Sequence, residues 1–228
     1  MTCPDAGAGA GGPLPGARVR WTGRAEGDLR PTEAACAGRL AAVAGGPVSW
    51  LRQVHGDRVV VVDGPAPVEG EEGDALVSAG PGVALAVLTA DCAPVALASA
   101  EGVVGAVHAG WAGVAAGVVE GAVASMRRLG ATRVSAALGP CIRAGCYEFG
   151  GADLDRLARR LGPGVRSVTA GGAPALDLPA AVRGALARAG AELVADAGVC
   201  TACAADRHFS HRARAEPQRQ ALIVWSGA

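Results

Sequence analysis

Residues 82–99 read GVALAVLTADCAPVALAS. Two apolar segments, GVALAVLT and PVALAS, each have the length of a buried strand, and the polar pair Asp91-Cys92 separates them. A membrane helix needs about 20 apolar residues in a row, and Thr89 and Asp91 break the run well before that. A carboxylate set between two apolar strands must be compensated by donors supplied from elsewhere in the fold. Asp91-Cys92 is therefore read as a strand-end feature, and strand ends are where an α/β protein assembles its site.

Working outward, ARVRW (17–21) reads as a strand and residues 32–44 as a helix stopped by Gly45-Gly46. VSWLRQVHG (48–56) alternates like a half-buried strand and ends at His55 and Gly56; RVVVVD (58–63) is a further strand, and residues 64–73 form a Pro/Glu/Gly loop. Downstream, VVGAVHAGW (103–111) and VSAALGPC (134–141) read as strands, and AAGVVEGAVASMRRLG (115–130) reads as a helix with a glycine stop. Further helices are expected over 152–161 and 179–189, then a loop CTACAADRHFSHRA (200–213) and a terminal strand ALIVW (221–225). The mixture predicts one α/β (α+β) domain over residues 17–228, preceded by a disordered Gly/Ala/Pro-rich leader over 1–16.

Composition fits that reading. In 228 residues, half of them hydrophobic, one substantial core can be buried. The 21 basic and 21 acidic residues cancel, which leaves no global field to recruit nucleic acid or an anionic membrane surface. The leader lacks a basic segment followed by a continuous apolar one, so it does not read as a signal peptide, and a cytoplasmic location is expected. In that compartment the seven cysteines read as thiols, ligands or nucleophiles and not as a disulfide framework.

Three groups able to bind a borderline metal fall at strand termini: His55, Cys92 and His108. They are too far apart in sequence for a local zinc-finger pattern, so any site they form is tertiary. Two imidazoles and one thiolate leave a fourth tetrahedral position open, the arrangement of catalytic zinc. Each residue alone reads more readily as a packed core group, and Cys92 with His108 reads equally as a thiolate nucleophile with its base. Behind His108, the glycines of HAGWAG allow close backbone approach and a turn into a helix. Asp91 and Asp74 are the nearest carboxylates, either as proton shuttles or as partners that orient a ligand histidine. A second set, Cys200, Cys203, His208 and His211, has C-x2-C-x4-H-x2-H spacing, although its short middle gap crowds a tetrahedron. Four histidines cannot build the trinuclear copper cluster of a laccase, and the only methionines are Met1 and Met126. A single copper in the His-Cys-His site is the alternative to zinc.

Five motifs in order carry a resemblance: QVHG (53–56), GDALVSAGPGVALAVLTADCAPVAL (73–97), VHAGWAGVAAGVVEGAV (107–123), LGPCIRAGCYEFG (138–150) and CTAC with RHFSHR and RQALIVW (200–225). Together they resemble the YfiH-like laccase-domain family, also called multicopper polyphenol oxidase, peptidoglycan editing factor and purine nucleoside phosphorylase. The resemblance implies a single-domain α/β/β/α sandwich like that of cytotoxic necrotizing factor-type cysteine hydrolases. It also implies a zinc site at His55, Cys92 and His108. The activities implied are phosphorolysis of adenosine, inosine and methylthioadenosine, and deamination of adenosine. A second implied activity is an amidase that removes misincorporated L-serine from a peptidoglycan precursor.

The expected partners are small purine nucleosides and phosphate, with the chain a monomer or weak homodimer and with neither nucleic acid nor membrane bound. Arg24, Gln53, Arg143 and Arg219 are the expected substrate-binding residues, and Arg212 is a further candidate. The related hydrolase fold makes Cys141 and Cys146 candidate nucleophiles. The sequence departs from the family where HAGWRG becomes HAGWAG, with Ala112 in the arginine's place, and where the N-terminal TTRxGGVS word survives only as WTGRAEGDLR. Both departures bear on anion binding and leave the metal ligands untouched.

Overall fold

The two apolar runs of residues 82–99 form strands that belong to different sheets. The computed structural model describes residues 14–32, 35–64 and 66–227. Its strands are β1 (Ala17–Trp21), β2 (Val48–Arg52), β3 (Val59–Val61), β4 (Glu69–Glu72), β5 (Ala75–Ser78), β6 (Ala84–Thr89), β7 (Ala93–Ala98), β8 (Val104–Ala109), β9 (Ser135–Leu138), β10 (Arg166–Val168), β11 (Pro174–Leu176), β12 (Glu192–Asp196) and β13 (Gln220–Ser226). Its α-helices are α1 (Cys36–Ala44), α2 (Trp111–Ala116), α3 (Val118–Arg128), α4 (Gly151–Leu161), α5 (Leu178–Ala189) and α6 (His211–Arg214).

One sheet has the order β1-β13-β6-β2-β4 and the other β12-β9-β7-β8-β5-β3; β10 and β11 form a separate hairpin. Alternation along β6 decides how they stack. Leu85 and Val87 pack with Leu222 and Val224 of β13 against Leu76, Ala96, Val104 and Ala106 of the other sheet. Ala84, Ala86 and Leu88 face the opposite way and pack with Leu40 of α1. The outer face of the six-stranded sheet, with Val77, Val95, Leu97 and Val107, is covered by residues of α2, α3, α4 and α5 such as Val114, Val119, Leu157 and Val182. The layers run α/β/β/α, each apolar face buried against the next as a layered domain requires.

Several boundaries differ from the sequence reading for local reasons. The helix expected from residue 32 begins at Cys36 and ends where Gly45 takes a left-handed φ of 79°. The helix expected over 115–130 is two helices, because Gly117 has φ 109° and turns the chain between α2 and α3. The expected loop 64–73 contains β4, a polar edge strand paired in parallel with β2. Of the expected leader, residues 1–13 lie outside the described residues, and Leu14 is packed in the core between the sheets. Among the described residues no helix is long and apolar enough to cross a membrane.

Candidate metal centre and cleft

The chain passes between the sheets repeatedly at one end of the sandwich, and two of these crossings carry the cluster. After β2 it crosses through residues 53–58 to β3, and after β6 it crosses through residues 90–92 to β7. His55 lies in the first crossing and Cys92 in the second, while His108 comes from β8. One ligand atom from each of the three lies within 4.8 Å of the others. Cys92 Sγ is 3.7 Å from His55 Nε2, and the two imidazole rings meet edge-on at 4.8 Å between centroids. His55 is exposed, Cys92 half-buried and His108 buried, so the cluster opens on one side.

Asp74 organises this cluster. Its carboxylate is fully buried and accepts from His108 Nδ1 at 2.7 Å and from the backbone N–H groups of His55 at 2.9 Å, Gly56 at 2.7 Å and Val54 at 3.2 Å. A carboxylate has about four acceptor sites, and these four donors fill them. Burial pushes the Asp74 carboxyl up, but the His108 hydrogen bond and the backbone donors outweigh it and hold it below its ordinary value. The consecutive N–H groups of 54–56 form a concave nest around the anion, which holds His55 at φ 60° although it has a side chain. With Nδ1 of His108 committed to Asp74, its Nε2 is left for the cluster. The Cys92 thiol is raised by burial yet lowered overall by the two imidazoles, and His108 is lowered by burial yet raised overall by Cys92 and Asp74.

Asp91 has a different position. Its carboxylate accepts from Thr201 Oγ1 at 2.6 Å, Ser210 Oγ at 2.7 Å and the backbone N–H of Arg212 at 2.6 Å. One acceptor site remains, and the residue lines the cleft. Its φ of 94° places it in the left-handed region, and its carbonyl accepts from Ile142 N at 2.9 Å.

The cluster sits in a cleft of ≈ 570 Å³ whose walls include Gln53, Thr89, Trp111, Tyr147, Arg212 and Arg219. Gln53 exchanges two hydrogen bonds of 2.7 Å with the backbone of Leu88, which ties the His55 loop to the end of β6. Arg219 lines the cleft but donates from Nη1 to the carbonyls of Glu216, Pro217 and Gln218, so it holds its own loop. Arg24 and Arg143, expected at the substrate, lie outside the cleft lining. Arg24 pairs with Glu216 and stands over the Phe209 ring, and Arg143 pairs with Asp196. Each found a carboxylate remote in sequence, which local reading does not reveal.

Arg212 stands over the Tyr147 ring at 5.1 Å and donates only at 3.3 Å to the Glu148 carbonyl. Among the described residues no carboxylate pairs with its guanidinium. The hydroxyl of Thr89, buried in the cleft wall, has no hydrogen-bond partner among the described residues. Sequence reading did not nominate Thr89, Trp111 or Tyr147; an aromatic or hydroxyl at a strand end has no signature of its own.

The set Cys200, Cys203, His208 and His211, which its crowded spacing argued against, does not assemble among the described residues. Cys200 and Cys203 group with Cys146, while His211 lines the cleft. Cys141 is fully buried and its thiol is pushed up by burial, the opposite of an activated nucleophile.

The glycines of HAGWAG are explained by contact. A Cβ on Gly110 would stand 2.9 Å from His55 Cδ2 and 3.2 Å from Cys92 Sγ, and one on Gly113 would stand 2.8 Å from the Gly56 carbonyl oxygen. Helix α2 therefore packs against the ligand loop with no room for a side chain.

Residues 22–227 match the family described as multi-copper polyphenol oxidoreductase laccase. The chain belongs to this family. The purine nucleoside phosphorylase Rv2149c of Mycobacterium tuberculosis (strain H37Rv) is 44% identical over 205 residues, which span 87% of this chain and 81% of that one. A crystal structure of a Neisseria meningitidis protein of the DUF152 family superposes with a TM-score of 0.79 at 26% identity, covering 97% of this chain and 100% of the other. The YfiH protein of Bacillus licheniformis shares the fold with a TM-score of 0.78 at 21% identity, covering 92% of this chain and 93% of that one.

Proposed function

We propose that the chain is a zinc-dependent purine nucleoside phosphorylase acting on adenosine, inosine and methylthioadenosine, with adenosine deaminase activity. The observation that carries this reading is the convergence of His55, Cys92 and His108 at the floor of the cleft, with Asp74 fixing the third ligand. The donor set fits zinc: two imidazoles and one thiolate, with one side open to the cleft. Bound there, zinc supplies Lewis-acid activation of water and of substrate oxygens. The relatives' name and the cleft's aromatic walls support a purine substrate, with Trp111 and Tyr147 as the flat surfaces against which a base packs.

In phosphorolysis a phosphate oxygen bonds to C1′ of the ribose as the C1′–N9 bond breaks, and the base leaves with a proton. Arg212 is the residue that holds phosphate in this reading, because its fork faces the cleft without a carboxylate partner. It takes over the anion contact that Ala112 cannot make. Asp91, with one acceptor site left, is the proton carrier for both reactions, and Asp74 is a positioning residue. In deamination, water adds at C6 and ammonia leaves.

The deciding assay incubates the zinc-loaded protein with adenosine. Adenine and ribose 1-phosphate are expected with phosphate present, and inosine and ammonia without it. Formation of neither, against a metal-free control, overturns the reading. Arg212→Ala should raise the phosphate KM about 10- to 100-fold, the worth of one charged hydrogen-bonding group, with zinc content unchanged. Gly110→Ala should lower zinc affinity about 10- to 100-fold by displacing His55 and Cys92, read by chelator competition.

A second reading has its own observation. Asp74, His108 and Cys92 also form the orienter, base and nucleophile of a thiol hydrolase, which suits the amidase alternative. Removing metal with a chelator abolishes activity in the first reading and spares it in the second.

A further inference from the structure

We propose that Cys146, Cys200 and Cys203 form a second metal site, taking one thiophilic divalent cation of the zinc class when Cys203 is in its reduced form. The sulfurs of these three residues lie within 4.8 Å of one another, and those of Cys146 and Cys203 are 3.4 Å apart. Two thiolates on a tetrahedral zinc, with Zn–S of about 2.3 Å, are about 3.8 Å apart, so shifts of about 1 Å or less convert the observed cluster into a coordination shell.

The backbone explains why the sulfurs converge. Cys200 and Cys203 are the ends of a C-x2-C turn closed by Cys203 N and Ala204 N on the Cys200 carbonyl at 3.2 and 3.0 Å. Cys200 also bridges in parallel to Cys141, which anchors the turn beside the segment leading to Cys146. Cys146 ends a short helical turn, Ala144–Cys146, and faces the C-x2-C turn from the other side. Cys200 is buried while Cys146 and Cys203 are half-buried, which leaves a solvent path for the ion.

Arg214, itself paired with Glu216 at 3.0 Å, grips this turn through the carbonyls of Ala202, Thr201 and His208 at 2.9, 3.3 and 2.9 Å and so fixes its shape. The site is distinct from the His55–Cys92–His108 cluster and does not depend on the function proposed for it. It does touch the same cleft walls. Thr201, inside the turn, donates to Asp91, and Tyr147, which lines the cleft, follows Cys146.

Cys203 is held as half of a disulfide in this structure, whereas Cys146 and Cys200 are thiols. Ligation therefore needs a reductant. A trialkylphosphine serves: it becomes the phosphine oxide, water supplies the oxygen, and the two hydrogens of that water end on the two new thiols. Each of the three thiols then gives its proton to buffer as its sulfur bonds the cation.

The test uses the full chain with His55→Ala and Cys92→Ala to remove the first site. After phosphine treatment, addition of zinc alone and desalting, one equivalent of zinc should remain; without phosphine, none should. Adding Cys146→Ser or Cys203→Ser should remove it. Zinc absent from the reduced double variant, or zinc retained in full by both serine variants, overturns the site. A measurement on the unaltered chain guards against misfolding. In reduced protein, zinc should slow iodoacetamide labelling of Cys146 and Cys203 about tenfold or more, read by peptide mass. Equal labelling rates with and without zinc overturn the proposal.

Discussion

Cys92→Ala should strip the chain of its cleft metal and of its nucleoside chemistry while leaving the fold in place. Four-ligand structural zinc sites bind with about 10–16 kcal/mol, so one ligand of a set carries about 3 kcal/mol and its loss weakens binding about a hundredfold or more. Little else depends on the sulfur. Cys92 is half-buried in the cleft lining and belongs to none of the three apolar cores, so its removal should cost the metal-free fold no more than about 1 kcal/mol. Metal analysis, product assays and thermal unfolding of the stripped proteins check this together. Wild-type zinc occupancy in the variant contradicts the ligand assignment. Cys92→Ser separates the two readings of the sulfur: oxygen is a poorer zinc ligand and a much poorer nucleophile, and only the second loss is indifferent to added zinc.

Asp74→Asn should be more damaging to the fold than loss of any ligand. The substitution keeps size but replaces one carboxylate oxygen with an NH2, which then faces backbone N–H groups of residues 54–56 or the His108 ring. Donor would meet donor in a site with no water access at the buried carboxylate. Breaking a buried charged pair costs about 3–5 kcal/mol, which for a chain of this size lowers Tm by about 6–20 °C. Zinc affinity should fall in parallel, about 10- to 100-fold, because both His55 and His108 lose their support. Thermal unfolding with and without zinc measures both effects. A variant with unchanged Tm would show that the carboxylate is replaceable and that the nest is set by the chain alone.

The layered fold was legible where periodicity was strong. β6, β7, β8 and β13 are dominated by apolar residues, and α4 and α5 carry clear helical spacing, so each was read near its observed limits. That β6 and β7 part into separate sheets was not legible, since nothing in residues 90–92 tells a crossing from a hairpin turn. β4 was missed because EGEE has no apolar face; it is held at a sheet edge by β2, beside the Arg52–Glu72 and Arg58–Glu71 pairs. β10 and β11 are too short to show alternation.

At the site, His55, Cys92 and His108 stood out because polar groups at the ends of apolar strands are conspicuous. The arginines did not sort themselves. Whether Arg143 or Arg212 faces a substrate depends on whether a carboxylate such as Asp196, 53 residues from Arg143, lies within reach. The cysteine cluster was not legible for the same reason: the short gap to His208 already argued against a histidine partner, and Cys146 reaches Cys203 across 57 residues.

The two crossings that bear His55 and Cys92 would give an ion bound in the cleft a mechanical role beside the chemical one proposed for it. It would tie the loop that bears His55 to the loop that bears Cys92, and through His108 both to the interior of the six-stranded sheet. Such an ion would be a cross-brace over the seam of the sandwich. Because its ligands meet only when both sheets are in place, loading and unfolding are one linked equilibrium, and Tm should climb with the logarithm of free zinc once the site is saturated. On that proposal the seam should loosen when the ion is stripped, which thermal unfolding of chelator-treated protein measures.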